Sequence, residues 1–305
     1  MMITNKAKGY ITAALSTATL ANVYIFSKAA LDETNIYQFG FYWFGFAIIW
    51  NIIYSFFTGH FKTVKHPTKF QYLNFLGIGI IEVIATTAIF IGIKIIPNPS
   101  IPAFIRNIEP VLIVFLAILF LNEKHSKLQI AGIILTIFGT FVISYNKDTT
   151  LQSLFIPGVQ YIIFSSLFYS LRTVWSKKVI RHFSALSLNL NKIGFLFVLA
   201  FIFMLISKSS FVISQKAFLN ILIGSVIGPF LTSFLQFLSL KYIDASRSTL
   251  VQSLTGFITV ILAYFYFGTF PYLYQIIGGA VTIIGLVFVI DAKYIYHNYA
   301  SKKAK

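Results

Sequence analysis

Along this chain, apolar runs of roughly 20 residues alternate with short polar interludes, and about that length lets a helix cross the hydrocarbon core of a membrane. The runs fall at about 9–31, 36–58, 70–95, 100–121, 127–146, 155–177, 183–207, 217–241, 246–268 and 272–292, ten in all. Between them stand Asp32-Glu33, the stretch from His60 to Lys69, PNPS at 97–100, NEKHSK at 122–127 and KDTT at 147–150. Lipid offers no partner to backbone N–H and C=O groups, so the pattern predicts an all-α polytopic membrane protein whose spans are helical throughout.

The pattern repeats. Sliding the chain by 146 positions lays residues 101–144 over 247–290 without a gap, pairing Val114 with Val260, Ala117 with Ala263, Gln129 with Gln275, Gly132 with Gly278, Thr136 with Thr282 and Gly139 with Gly285. A shift of 147 pairs Gly77 with Gly224 and Lys94 with Lys241. A shift of 149 pairs Gly9 with Gly158, Ser16 with Ser165, Ser27 with Ser176 and Lys28 with Lys177. The first run therefore has a counterpart in the second half, which argues against a cleaved signal sequence even though Lys6 and Lys8 precede it. The expected units are 1–146, the first five-helix repeat, and 147–305, the second with a short basic tail. Five is odd, so the second repeat enters the membrane from the opposite side: two inverted five-helix repeats. That architecture sets a binding site near the midplane where the halves meet, exposed to each side in turn. A duplicated membrane anchor is the plainer alternative.

Charge orients the chain. With the N-terminus in the cytoplasm, that side receives Lys6, Lys8, Lys62, Lys65, Lys69, Lys124, Lys127, Lys177, Lys178, Arg181, Lys241, Arg247, Lys293, Lys302, Lys303 and Lys305; the other keeps Lys28, Lys94, Lys147, Lys208 and Lys216. Sixteen against five is a positive-inside asymmetry that puts both termini in the cytoplasm. The net charge of +16 follows topology and is not gathered into a phosphate-binding stripe, so no nucleic-acid partner is expected. Without cysteine, and with His60, His66, His125, His182 and His297 scattered in polar interludes, neither a metal site nor a bound cofactor is expected. No Gly-x4-Gly-Lys-Ser/Thr signature appears. Convergent interfacial carboxylates, histidines or a nucleophile are also missing, so the sequence does not read as an enzyme.

Against this background the stretch AFIRNIEPVLIVFLAILFLNEK, residues 103–124, is anomalous, because charges inside the hydrocarbon zone cost a few kcal/mol each and usually face a protein interior or wet cavity. Glu82, Arg106, Glu109, Arg172 and Lys192 are such charges. Arg106 precedes Glu109 by three positions, on one helical face, where the two neutralise each other. Pro110 lacks the N–H that would bond the carbonyl of residue 106, which predicts a kink and a freed acceptor there. Gly256 takes the equivalent place in the second repeat, and Pro229, aligned with Glu82, frees the carbonyl of Ser225. Interrupted segments at corresponding places in two repeats point to a transporter's site. The candidate substrate-binding residues are Arg106, Asn107, Glu109, Glu82, Asn22, Trp43, Gln252 and Lys192, with Glu82 and Glu109 as candidates for carrying a coupled proton and Pro110, Pro229 and Gly256 as helix breaks. The plain alternatives are a purely structural Arg106–Glu109 pair, and Arg172 and Lys192 snorkelling toward the cytoplasmic surface. Asn51, Asn189, Asn191 and Gln236 are further candidates for cargo hydrogen bonds, with bonds between helices the commoner use of any one of them; the paired glycines are expected to allow close packing, and aromatics to face lipid more often than cargo.

The segment AIFIGIKIIPNPSIPAFIRNIEPVLIVFLAILFLNEKHSKLQIAGIILTIFGTFVI (88–143) resembles the EamA-type transporters of the drug/metabolite transporter superfamily, with their Ala-Leu-Lys-Tyr, Glu/Ser-Pro-Val, Leu-Gly-Glu and Gln-x-x-Gly elements. The segment LSLKYIDASRSTLVQSLTGFITVILAYFYFGTFPYLYQIIGGAVTIIGLVFVI (238–290) repeats it with losses, Gly256 and Thr269 replacing Pro and Glu. Glu123 matches Leu-Gly-Glu at a cytoplasmic helix end, where a structural role is expected. The resemblance implies a secondary transporter in a bacterial cytoplasmic membrane, a monomer or homodimer among lipids, exporting a small polar metabolite such as an amino acid. The midplane mixture of three cations and two carboxylates itself suits a zwitterion, with Arg106 near a cargo carboxylate and Glu109 or Glu82 near its amine. Competing readings are a lipophilic-cation exporter with Glu82 as counter-ion, and a non-transporting receptor or assembly subunit.

Overall fold

A computed structural model of the chain describes residues 5–59, 68–121, 127–145, 156–243 and 245–303. Glu123 and the interludes 60–67 and 147–150 lie outside the described residues. Among those described, the chain makes ten helical passes: α1 (Asn5–Leu31), α2 (Ile36–Phe57), α3 (Lys69–Ile95), α4 in two pieces (α4a Ser100–Ile105, α4b Glu109–Leu121), α5 (Lys127–Ser144), α6 (Val159–Val179), α7 (Ala185–Ile206), α8 in two pieces (α8a Gln215–Ser225, α8b Ser233–Tyr242), α9 in two pieces (α9a Ala245–Gln252, α9b Thr255–Phe267) and α10 (Leu273–Lys303). Four stretches, Ile36–Phe57, Lys69–Ile95, Ala185–Ile206 and Gln215–Tyr242, meet the length and hydropathy of a membrane span on their own.

Polar interludes start the helices by known devices. Asn35 caps α2 and Thr68 caps α3, each completing a capping box with the glutamine three residues on, Gln38 and Gln71. Ser184 and Ser214 cap α7 and α8a through their hydroxyls. The surface is apolar, with Phe56, Phe57, Ile134, Phe138, Val198 and Phe265 exposed, whereas Ser16, Ser27, Ser165, Ser166, Ser170 and Ser176 are buried. Large apolar side chains turned outward, and small hydroxyl residues packed inside beside the apolar core, suit a bundle immersed in lipid, where close helix approach replaces the hydrophobic effect.

The repeat seen in the sequence is a physical symmetry. A β-carbon at Gly139 would stand 2.7 Å from the Gly278 carbonyl oxygen and 2.7 Å from the Thr282 nitrogen; one at Gly285 would stand 2.7 Å from the Gly132 oxygen and 2.7 Å from the Thr136 nitrogen. Each contact is the other with the repeats exchanged, so α5 and α10 meet across a pseudo-two-fold axis. The first helix of each repeat also laces to its third through an equivalent lysine. Lys28 Nζ donates to the Lys94 carbonyl at 3.1 Å, and Lys177 Nζ donates to the carbonyls of Leu240 and Ile243 at 2.8 and 2.9 Å. Two inverted five-helix repeats follow.

The spans are not helical throughout. Residues Arg106–Ile108 form a 3-10 turn, Val226–Thr232 a π-helical stretch, and the chain breaks again between Gln252 and Thr255. Irregular backbone survives at this depth because it is buried in protein rather than lipid. The expected free acceptor at Arg106 is corrected by the same geometry: the tightened turn brings the Glu109 N–H onto the Arg106 carbonyl. Around Pro229, the Thr232 hydroxyl donates to the Ile227 carbonyl at 2.7 Å and Asn189 Nδ2 to the Phe230 carbonyl at 3.2 Å.

At one end, the α1–α2 turn is tied to the start of α8a. The Ser214 hydroxyl donates to the Glu33 carboxylate, whose other oxygen is 3.1 Å from Lys216 Nζ. The Ser214 hydroxyl, followed by Lys216, holds the Glu33 carboxyl below the usual carboxylate range. A lowered folded-state pKa gives stability that is present above the unfolded carboxylate range and lost as pH falls through the folded value. Replacing Glu33 with glutamine should therefore lower the melting temperature in detergent slightly at neutral pH, and the gap to wild type should close in acid. A gap independent of pH would remove this tie.

Candidate functional site

Two buried ionic groups occupy the middle of the bundle, and one tyrosine lies between them. The first is Arg106 with Glu109: Nη2 and Nε donate to Glu109 Oε2 at 2.6 and 3.2 Å, while Nη1 reaches the Tyr24 hydroxyl at 3.4 Å. The 3-10 turn sets both side chains on one side, and Ser170 of α6 holds the Glu109 carbonyl at 3.1 Å. The second group centres on Glu82, which is 0% exposed. Lys192 Nζ stands 2.9 Å from Glu82 Oε1, and Arg172 Nε stands 3.1 Å from Oε2, an ion pair by distance rather than an aligned hydrogen bond. Thr86 also donates to Oε1 at 3.1 Å. Glu82 comes from the first repeat and both cations from the second.

Tyr169 joins the groups. Its ring lies under the Arg106 guanidinium at 4.7 Å and beside that of Arg172 at 5.2 Å, and its hydroxyl is 2.8 Å from Thr86 Oγ1. A second path runs from Arg172 to Gln236 Oε1 at 3.3 Å, then from Gln236 Nε2 to Gln252 Oε1 at 3.2 Å, and from Gln252 Nε2 to Ser248 at 3.2 Å.

Beside the Arg106–Glu109 pair is a cavity of about 20 Å3, room for about one water molecule. Its lining is symmetric. Arg106, Asn107 and Glu109 face it from the break in α4, and their equivalents at a shift of 146, Gln252, Ser253 and Thr255, face it from the break in α9; Leu20 and Tyr24 close it from α1. Glu109 opens α4b and Thr255 opens α9b, so the two helices are interrupted at the same repeat position.

The expected site residues divide accordingly. Arg106, Asn107, Glu109, Gln252 and Pro110 line the cavity. Glu82 and Lys192 are drawn together in the neighbouring triad and do not line it. Arg172 and Lys192 do not snorkel: at 1% and 8% exposure they turn inward to Glu82. Trp43, 1% exposed, is a packing residue instead, tilted against Phe39 at 4.8 Å between ring centres and seated against Gly224 and Gly228, which leave room for its ring. Asn22 donates to the Ala18 carbonyl of its own helix at 2.9 Å, off the cavity. Gly256 sits two residues past the break; a β-carbon there would stand 2.7 Å from Phe104 Cε1, so it lets α9b pack on α4a. Asn51 and Asn189 bond each other at 3.0 Å, and Asn191 reaches the Phe75 carbonyl at 2.9 Å. Sequence reasoning missed Tyr24, Tyr169, Thr86 and Ser233, which bonds Lys192 at 2.9 Å. It also missed Ser253 and Thr255, which the shift of 146 would have found from Asn107 and Glu109.

The EamA-like transporter family matches this chain twice, over residues 7–145 and 156–291. The chain belongs to the EamA-like transporter family. Membership in a transporter family implies a small-molecule substrate and a lipid environment. The uncharacterized transporter YyaM of Bacillus subtilis (strain 168) is 28% identical over 255 residues, 80% of this chain and 81% of the relative. The uncharacterized transporter YxxF of the same organism is 24% identical over 235 residues, 76% and 74% of the two chains. The fold is also similar to that of a protein of known crystal structure, with a TM-score of 0.68 at 15% identity, covering 94% of this chain and 99% of the other.

Proposed function

We propose that this chain is a secondary transporter of a bacterial-type cytoplasmic membrane, moving a small polar metabolite by alternating access, with export as its direction and amino acids among its cargo classes. The observation that carries the reading is the pair of helix breaks at equivalent positions, opening on one cavity with an ionised pair in its wall. The units that rock are residues 1–146 and 147–305, and both termini face the cytoplasm by the distribution of Lys and Arg. The cavity as described is far smaller than the several hundred Å3 of an ordinary ligand pocket, so cargo entry requires the repeats to part. Glu82 and Glu109 are the groups available to carry a coupled proton. A lipophilic-cation exporter with Glu82 as counter-ion is less well supported, since both Glu82 oxygens already face cations. No catalytic step is assigned.

The test is reconstitution of the purified chain into vesicles, with a metabolite panel screened by counterflow. Arg106→Ala and Glu109→Gln should each slow exchange about 10-fold or more, the loss of a hydrogen bond to a charged group. Wild-type rates in both folded variants would refute the assignment of this cavity.

A further inference from the structure

We propose that the cargo is a carboxylate-bearing organic anion of net charge −1, seated with its carboxylate at the start of α9b; this rests on the carrier reading above and names the chemistry it transports. Three observations bear on this, one across the two neighbouring ionic groups and two at the cavity itself. The first is a charge count. Among the described residues, the midplane holds Arg106, Arg172 and Lys192 against Glu82 and Glu109, one cation in surplus. An uncompensated cation inside a membrane protein is costly, and a monoanion removes that cost, whereas a zwitterion leaves it.

The second observation is an asymmetry within the symmetric lining. Glu109 stands at the start of α4b, where the helix dipole favours negative charge. Thr255, its repeat mate, leads α9b, whose N-cap position is Leu254 and whose first turn takes no side-chain cap. One half-helix brings its own carboxylate to the cavity and the other brings none. Half-helix N-termini of this kind bind anionic substrate groups in transporters. The third is Asn107. It is 3% exposed and lines the cavity, and its Nδ2 has no hydrogen-bond partner. A buried, unpartnered amide donor on a residue that lines a cavity calls for an acceptor.

The experiment compares isosteric pairs that differ in one charge, lactate with alanine and aspartate with asparagine, as counterflow cargo for the full-length chain in vesicles at neutral pH. The anionic member of at least one pair should exchange about 10-fold faster than its neutral partner. Preference in the lactate pair alone assigns a simple carboxylate; preference in the aspartate pair assigns an acidic amino acid. Lys192→Met removes the surplus cation while Arg172 still pairs with Glu82, and should narrow the ratio toward one. Alanine and asparagine matching or exceeding their partners in the wild-type protein overturns the charge assignment and leaves the carrier reading standing. Absence of flux for every cargo of a broad panel overturns both.

Discussion

Replacing Glu82 with alanine is expected to destabilise the folded protein by about 3–5 kcal/mol, because it strips the counter-ion from buried charges. Arg172 and Lys192 are nearly inaccessible to water and reach Glu82 from α6 and α7, so neither can retreat to the surface without parting the two repeats. The effect should be non-additive. In a background of Lys192→Met only one cation is orphaned, and the same Glu82→Ala change should cost distinctly less. Melting curves of the four purified proteins in detergent give the coupling. Additive losses would mean that Lys192 does not depend on Glu82 and that the triad is only proximity.

The second large effect lies at the symmetric helix pair. Gly285→Leu and Gly139→Leu should each cost about 3 kcal/mol or more, at or beyond the upper end of ordinary overpacking. The reason is what the added atoms meet: backbone oxygen and nitrogen of the facing helix, which no rotamer change can move aside. The two helices must separate, and the Thr136 and Thr282 hydroxyls, now bonded to the Gly132 and Gly278 carbonyls at 2.9 and 2.7 Å, lose their packing with them. Because the contacts are equivalents of one another, the two substitutions should have similar effects. A melting temperature unchanged by either one would show that the axis does not pass between α5 and α10.

How far the chain announces all this depends on whether a feature is local. The ten passes and the repeat are legible because span length and a fixed shift are properties of the sequence alone. The Arg106–Glu109 pair is legible because three residues of helix bring the two side chains together. Glu82 is different. Its carboxyl is visibly out of place in a span, yet its partners lie 90 and 110 positions later, and no repeat shift links them, since Pro229 rather than a charge aligns with Glu82. The break in α9 is legible only through α4: no proline marks it, and the glycine expected to do so at 256 serves packing against Phe104 instead. Trp43 shows the opposite limit, because an aromatic ring that lines a cavity and one that fills a cleft between glycines leave the same trace in the sequence. Tyr169 carries no anomaly of its own; only the guanidinium groups on either side of it give it a role.

The small size of the central cavity bears on what happens between turnovers. Space for a single water cannot seat a sodium or potassium ion together with its hydration shell, and the charges in its wall, Arg106 and Glu109, are paired with each other. In this shape the cavity itself is no seat for a permeating ion, whatever gradient the cell maintains.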